Sequence, residues 1–470
     1  MIDAIILLLF EMNKFAESII NTMPIMLDRT IAPLSKQIPS FEFPEYTKHQ
    51  LSNGCVVIVI EDNNQPLVNI TLSMRLGAAH ETIPGLAKCA GSLLMSGTPT
   101  KTADQISLES DIIGVSIGVN SGWDSTEFTG FGLAEYLPNM LSIMSDSFFN
   151  AIFPVNEVQK KKDLLIADCE FLSVDPEYLA TRACTSILYG NHAYSHARNG
   201  TPTSIFSIQQ EDCLRWKEML LESGNPFFTV SGNCNTKEVL NYLEKHFGHW
   251  KPGKEVHELS SPIYGQGIQC VYAPKADAVQ TSLHIAFPSI GIKHEDYTLF
   301  QLASTMFGGY FASRINLTLR EKYGYTYGAF SYTDSRKYSS SYNIQTNVGN
   351  DVTKHSIELL LEEMSAFHKA IIDDEEFTTA SQYLLGTLVQ GMETAQQISG
   401  RARTIEFNGL SPDYFTKKFD DLSHATTDAL SKIQQTYFKP DHMIIAASGN
   451  GVLLDSILKE YGDVIVFEED

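Results

Sequence analysis

The chain is written twice. Residues 225–233 read NPFFTVSGN, and residues 439–450 read KPDHMIIAASGN. In each, a proline opens a short β-rich apolar run that closes on Ser-Gly-Asn, at 231–233 and again at 448–450. The segments that follow also agree. VLNYLEKHFG (239–248) and LLDSILKEYG (453–462) both have helical spacing and end on glycine, a common stop signal. PLVNITLSMRLGAAHE (66–81) and AVQTSLHIAFPSIGIKHE (278–295) agree more weakly, each alternating like a half-buried strand before a helical segment. The offset between copies is roughly 212 to 217 residues throughout. Such a chain is expected to fold as two related domains.

Between the copies, KPGKEVHELSSPIYGQG (251–267) is polar, carries Pro and Gly and has no periodicity, so it reads as a linker. The expected organisation is an N-terminal extension at 1–44, a first domain at 45–250, the linker at 251–267 and a second domain at 268–470. Within the first copy, CVVIVIE and VNITLSMRL read as strands, and GVSIGVN with STEFTGFG as a strand pair. Thr102 with Gln105 three residues on gives a capping-box helix start, and AEYLPNMLSIMSDSFF and PVNEVQKKKDLLIADCEFL read as helices. In the second copy, DVTKHSIELLLEEMSAFHKAII and EEFTTASQYLLGTLVQGM form the matching helix pair. Strands and helices in blocks predict an α+β class, each domain an antiparallel-rich sheet with helices packed on one face.

Charge and cysteine usage narrow the function classes. A net charge of −22, from 34 basic and 56 acidic residues, argues against nucleic acid or an anionic membrane as the partner. Seven cysteines, none in a C-x-x-C, suggest neither a disulfide framework nor a zinc ribbon; reduced thiols are expected. The apolar run from Ala4 to Phe10 is too short to span a bilayer, and with Asp3 before it makes a poor signal peptide. A soluble, cytoplasmic protein is expected.

Two segments carry the chemistry. PGLAKCAGSLLMSGT (84–98) has a small, apolar helical frame with Lys88 and Ser92 one turn apart. FGGYFASRINLTLREKYGYTYGAFSYTD (307–334) holds Arg320 and Tyr327 seven residues apart, with Gly324 between them. With the duplication, these segments resemble the pitrilysin/insulinase-type zinc metallopeptidases, in the branch similar to the processing peptidases, from about residue 45 onward. That family carries H-x-x-E-H in its first domain, two histidines for one zinc and a glutamate to polarise water, with a further Glu about 76 residues on. Here the frame residues Gly85, Leu86, Ala87, Gly97 and Thr98 match. The histidine positions hold Lys88 and Ser92, the glutamate position holds Gly91, and the distal position falls near Asp168. The resemblance therefore implies that this chain binds no metal itself, since one carboxylate does not hold zinc and an ammonium opposes it.

No replacement site is evident in the sequence. His192 and His196 lie in a loop-like stretch, His246 and His249 straddle a helix stop, and His80-Glu81 fails as H-E-x-x-H because the fifth position is Pro84. A Lys88–Ser92 dyad has the spacing to meet but no sign of a desolvated base or an oxyanion hole.

The second domain keeps what the resemblance implies is the substrate-clamping pair. A phenol stabilises the oxyanion of a tetrahedral intermediate, and a guanidinium fork fixes neighbouring carbonyls. Arg320 is expected to end a helix, Gly324 to turn the chain and Tyr327 to begin a strand, with Gly308 and Gly309 allowing close backbone approach. Two readings follow. In the first, the chain is the non-zinc subunit of a heteromeric peptidase acting on extended peptides, zinc residing in a homologous H-x-x-E-H subunit. In the second, it is an inactive homodimeric peptide-binding or scaffold protein that pairs with a second copy of itself.

Overall fold

A computed structural model describes residues 41–253, 256–369, 371–439 and 442–469. Most of the 1–44 extension lies outside the described residues. Two six-stranded sheets organise the chain. The first holds β1 (Thr47–Gln50), β2 (Val56–Glu61), β3 (Leu67–Met74), β4 (Ser116–Ser121), β5 (Thr126–Leu133) and β6 (Phe227–Gly232), in the order β1-β2-β6-β3-β5-β4. The second holds β7 (Ile268–Pro274), β8 (Gln280–Pro288), β9 (Ala329–Ser335), β10 (Ser340–Gly349), β11 (Met443–Gly449) and β12 (Val464–Val466), in the order β12-β7-β11-β8-β10-β9.

Five strands of each sheet correspond, and so does their register. Asn69 pairs with Ser231 as Ser282 pairs with Ser448, and Glu61 pairs with Gly232 as Pro274 pairs with Gly449. The repeated Ser-Gly thus closes the same central strand, parallel to one neighbour and antiparallel to the other, in both domains. Only the outermost strand differs: β1 runs antiparallel to β2, and β12 parallel to β7.

The helices repeat as well. After the short α1 (Leu86–Ser92), the first domain has α2 (Leu137–Asn150), α3 (Val155–Leu172) and α4 (Pro176–Tyr189). The second has α5 (Thr353–Lys369), α6 (Asp374–Gln390) and α7 (Ala395–Asn408). One helix of each set crosses over. Ala183, Cys184 and Leu188 of α4 bury against Val271, Ala286, Ile444 and Ala446 of the second sheet. Ala395 and Ala402 of α7 bury against Ile58, Ile60 and Phe227 of the first. Each sheet is therefore covered on both faces, the second face by the other domain's helix.

This explains why β2 reads VVIVIE rather than alternating. Val57 and Val59 enter the first domain's own core, while Ile58 and Ile60 meet α7. Burying each such side chain contributes about 1.5–3 kcal/mol. Among the described residues, no helix is long and apolar enough to cross a membrane.

Candidate functional site

The first-domain motif folds into α1, entered through Gly85 in the left-handed region at φ 87°. A residue that sequence reasoning passed over holds its start. Glu81, with a fully buried side chain, accepts from the backbone N–H of Gly85 at 2.9 Å and of Ala87 at 2.8 Å. Its carboxylate also meets His196 Nε2 at 2.8 Å. A carboxylate at a helix N-terminus satisfies orphan donors and complements the dipole. His196 is therefore a structural partner; the only sequence cue was an acidic residue four positions before the helix cap.

The polar positions of the motif have turned inward or closed. Ser92 donates to the Cys89 carbonyl at 2.8 Å, within the helix. Ser121, at the end of edge strand β4, donates to the Ala87 carbonyl at 2.8 Å. A Cβ at Gly91 would lie 2.7 Å from the Ser121 hydroxyl and 3.2 Å from Val119. The helix thus packs onto β4 more closely than a glutamate at 91 allows. On α3 it is Cys169 that turns inward, its thiol reaching the Gly200 carbonyl at 3.4 Å, while Asp168 faces solvent. Burial raises the Cys169 thiol pKa, and nearby Lys88 opposes that rise. Lys88 is half-buried and has no hydrogen bond or ion pair among the described residues. No group of three His, Cys, Asp or Glu residues is placed to hold a metal ion among the described residues. This donor set does not fit zinc. Gly91→Ala is expected to cost about 1–3 kcal/mol by overpacking. Combining it with Ser121→Gly should recover part of that loss in a denaturant melt.

In the second domain, the segment from Leu317 to Lys322 is wound as a π-helix that ends at Gly324, φ 67°. Such wide turns recur at functional sites. The Gly308 backbone approaches β9, where a Cβ would lie 2.4 Å from the Ser331 hydroxyl. Arg314 is tied to Glu376 of α6 by two bonds of 2.6 Å, a fork that fixes the segment to the domain. Arg320 lies over the Phe311 ring at 4.1 Å and donates to Glu321 at 2.7 Å.

The neighbouring tyrosines separate by role. Tyr323 and Tyr325 pack their rings on His355, and the Tyr325 hydroxyl bonds it at 3.0 Å. Tyr327 is 96% exposed. It lies two residues before β9 instead of beginning that strand, because the Thr326 hydroxyl takes the Gly328 N–H at 3.1 Å. β9 is the edge of its sheet, and Tyr327 rims a cavity of about 400 Å³ there.

The two domains are latched beside these segments. Arg336, in the β9–β10 turn, is buried among three first-domain rings: Trp123 at 4.7 Å, Tyr194 at 4.7 Å and Tyr189 at 4.8 Å. Asp334 accepts from its guanidinium at 2.8 Å. Asp124, in the β4–β5 turn, accepts from both the Tyr194 hydroxyl and the Lys337 N–H. Trp123 also packs edge-on to His196. A continuous set of contacts therefore runs from the Glu81 cap of α1 to the strand that follows Tyr327.

Below this edge, His284 of β8 is fully buried. Its Nε2 meets Asn343 at 3.0 Å, and its Nδ1 faces Thr181 and Gln345, each at 3.2 Å. Burial depresses its pKa to about 4, with Asn343 and the more distant Asp334 opposing. The folded-state value lies below the unfolded one of about 6.5. Its contribution is therefore complete above pH 6.5 and is lost as pH falls toward 4. That loss is expected to reach about 3 kcal/mol. Urea melts across that window should show a shallower acid slope for His284→Gln.

Residues 56–201 match the family model described as Insulinase (Peptidase family M16), and residues 207–384 match the one described as Peptidase M16 inactive domain. The chain is 21% identical over 409 residues to an uncharacterized zinc protease, YmxG, of Bacillus subtilis, covering 86% of this chain and 98% of the relative. It is 20% identical over 277 residues to a probable mitochondrial-processing peptidase subunit beta of Schizosaccharomyces pombe, covering 57% and 60%. Among solved structures, a peptidase M16 inactive domain from Pseudomonas fluorescens superposes with a TM-score of 0.79 at 19% identity, covering 87% of this chain and 98% of that one. A chain of complex III2 from Candida albicans superposes at 0.71 with 15% identity, covering 89% and 97%. Matched end to end by two models of one family, on a sheet architecture shared with its solved members, the chain belongs to the insulinase (peptidase M16) family.

Proposed function

We propose that this chain is the non-zinc-binding subunit of a heteromeric zinc metallopeptidase that acts on extended peptides. One contrast carries the reading: the first-domain motif helix has closed onto β4, while in the second domain Tyr327 stands bare beside Arg320. A phenol with no internal partner at a sheet edge suits donation to a carbonyl oxygen that becomes an oxyanion. The guanidinium, supported from below by Phe311, would bind adjacent carbonyls of the same peptide. The peptide itself would add as a strand to an open sheet edge. A homologous partner with an intact H-x-x-E-H would hold the zinc, which supplies the polarised water. Support for pairing comes from relatives, one named as a processing-peptidase subunit and one a chain of complex III2. The cytoplasm is the proposed compartment, supported by seven cysteines that are all free.

The test is metal content by plasma mass spectrometry on protein purified from its own host and on the recombinant chain alone. Zinc in the native preparation with a co-purifying second chain, and none in the recombinant chain, is the expected result. Stoichiometric zinc in the recombinant chain would overturn the reading. No zinc and no second chain in either preparation would leave the homodimeric peptide-binding scaffold.

A further inference from the structure

The cavity that Tyr327 rims has an unusual balance of hydrogen-bonding groups. Its floor is the outer face of the second sheet: Ser282 and His284 on β8, Gln345 and Asn347 on β10. One wall is the first turns of α4, with Glu177 and Thr181; the other is Tyr327 and the half-exposed Phe330. The donors of this lining are already used. His284 Nε2–H donates to Asn343, so Nδ1 is the acceptor facing the cavity side. The Gln345 amide nitrogen donates to Thr181 and to that Nδ1, both at 3.2 Å. The Asn347 amide nitrogen donates to the Glu177 carboxylate at 3.4 Å. The Thr346 hydroxyl donates to Thr326 and to the Gly328 carbonyl, each at 3.0 Å.

What remains is acceptors. The amide oxygens of Gln345 and Asn347 have no partner among the described residues, and Glu177 is the only formally charged group in the lining. Burial keeps His284 neutral, so no cation opposes a positive guest. An acceptor-rich hollow with one carboxylate and two aromatic edges is complementary to a group that only donates. Resting on the peptide-binding reading above, we infer that this cavity is a side-chain pocket that takes a basic residue, lysine or arginine, of the peptide held at Tyr327. Glu177 is its specificity-determining residue, and it comes from the first domain through the crossed-over helix α4. The pocket therefore exists only when the two domains are assembled.

The experiment uses the full-length chain and fluorescein-labelled unstructured decapeptides that differ at one central position. Anisotropy should give at least tenfold tighter binding for Arg or Lys than for norleucine, with Glu weakest. In Glu177→Gln the Arg-to-norleucine ratio should fall to within twofold, and in Glu177→Lys the Glu peptide should become the preferred one. Equal binding of Arg and norleucine peptides by the wild-type chain, with Tyr327→Phe weakening both, would overturn the pocket and leave the peptide-binding reading intact. A probe independent of that reading is N-acetyl-arginine amide, followed by saturation-transfer NMR. Saturation by the wild-type chain that is lost in Glu177→Gln supports the pocket even if no decapeptide binds. Equal saturation in both chains overturns it.

Discussion

Arg336→Ala is expected to lower the stability of the folded chain by about 3–5 kcal/mol, the cost of breaking a buried charge pair by removing one partner. The guanidinium is almost fully buried against three rings and held by Asp334. Its loss opens a hollow between Trp123, Tyr189 and Tyr194 and leaves the Asp334 carboxylate without its cation. Desolvated cation–π contact contributes about 2 kcal/mol in such places. Arg336→Lys should recover only part, because an ammonium cannot present a flat face to three rings. The melt should also change shape. The Arg336 turn clasps the first domain through Asp124, so its loss should uncouple the two sheets. Two transitions by near-ultraviolet circular dichroism, where the wild type shows one, is the expected result. A change in midpoint below about 1 kcal/mol would remove the latch.

The repeated Ser-Gly-Asn was enough to place the central strands, because a strand buried on both faces has to be a continuous apolar run wherever it occurs. The helix pairs followed from their periodicity. Two things were hidden, each for a physical reason. The exchange of α4 and α7 between domains is invisible in the sequence, since an apolar face built on Ala183 or Ala402 does not say which sheet it covers. The cage around Arg336 is equally hidden, because Trp123, Tyr189 and Tyr194 lie on separate turns and helices and meet only in the fold. Element ends moved where local bonds competed. The last helix stops at Leu458, before the glycine expected to end it, and Gly248 follows its helix without a left-handed turn. At the site, the frame of the degenerate motif was legible, but the closure of α1 onto β4 was not. A glycine in a sequence does not reveal that Ser121 fills the space its side chain would need.

Tyr327→Phe, assayed in a complex reconstituted with a zinc-bearing partner, is expected to lower kcat about 10²–10³-fold, the cost of losing one oxyanion donor. The ring is retained, so peptide contacts made by its faces persist, and KM should move by less than about threefold. Stability should not change, because the side chain is 96% exposed and its hydroxyl bonds nothing among the described residues. Tyr325→Phe is the matched control. It removes a hydroxyl that bonds His355, so it should cost about 1 kcal/mol in a melt and leave kcat in place. Arg320→Ala should act differently from both. Its fork would hold carbonyls in ground state and transition state alike, so the larger change is expected in KM. Phe311→Ala should reproduce a fraction of that change by releasing the guanidinium from the ring at 4.1 Å. An unaltered kcat in Tyr327→Phe, with the complex intact, would remove this chain from the chemical step and leave it only the task of holding the peptide.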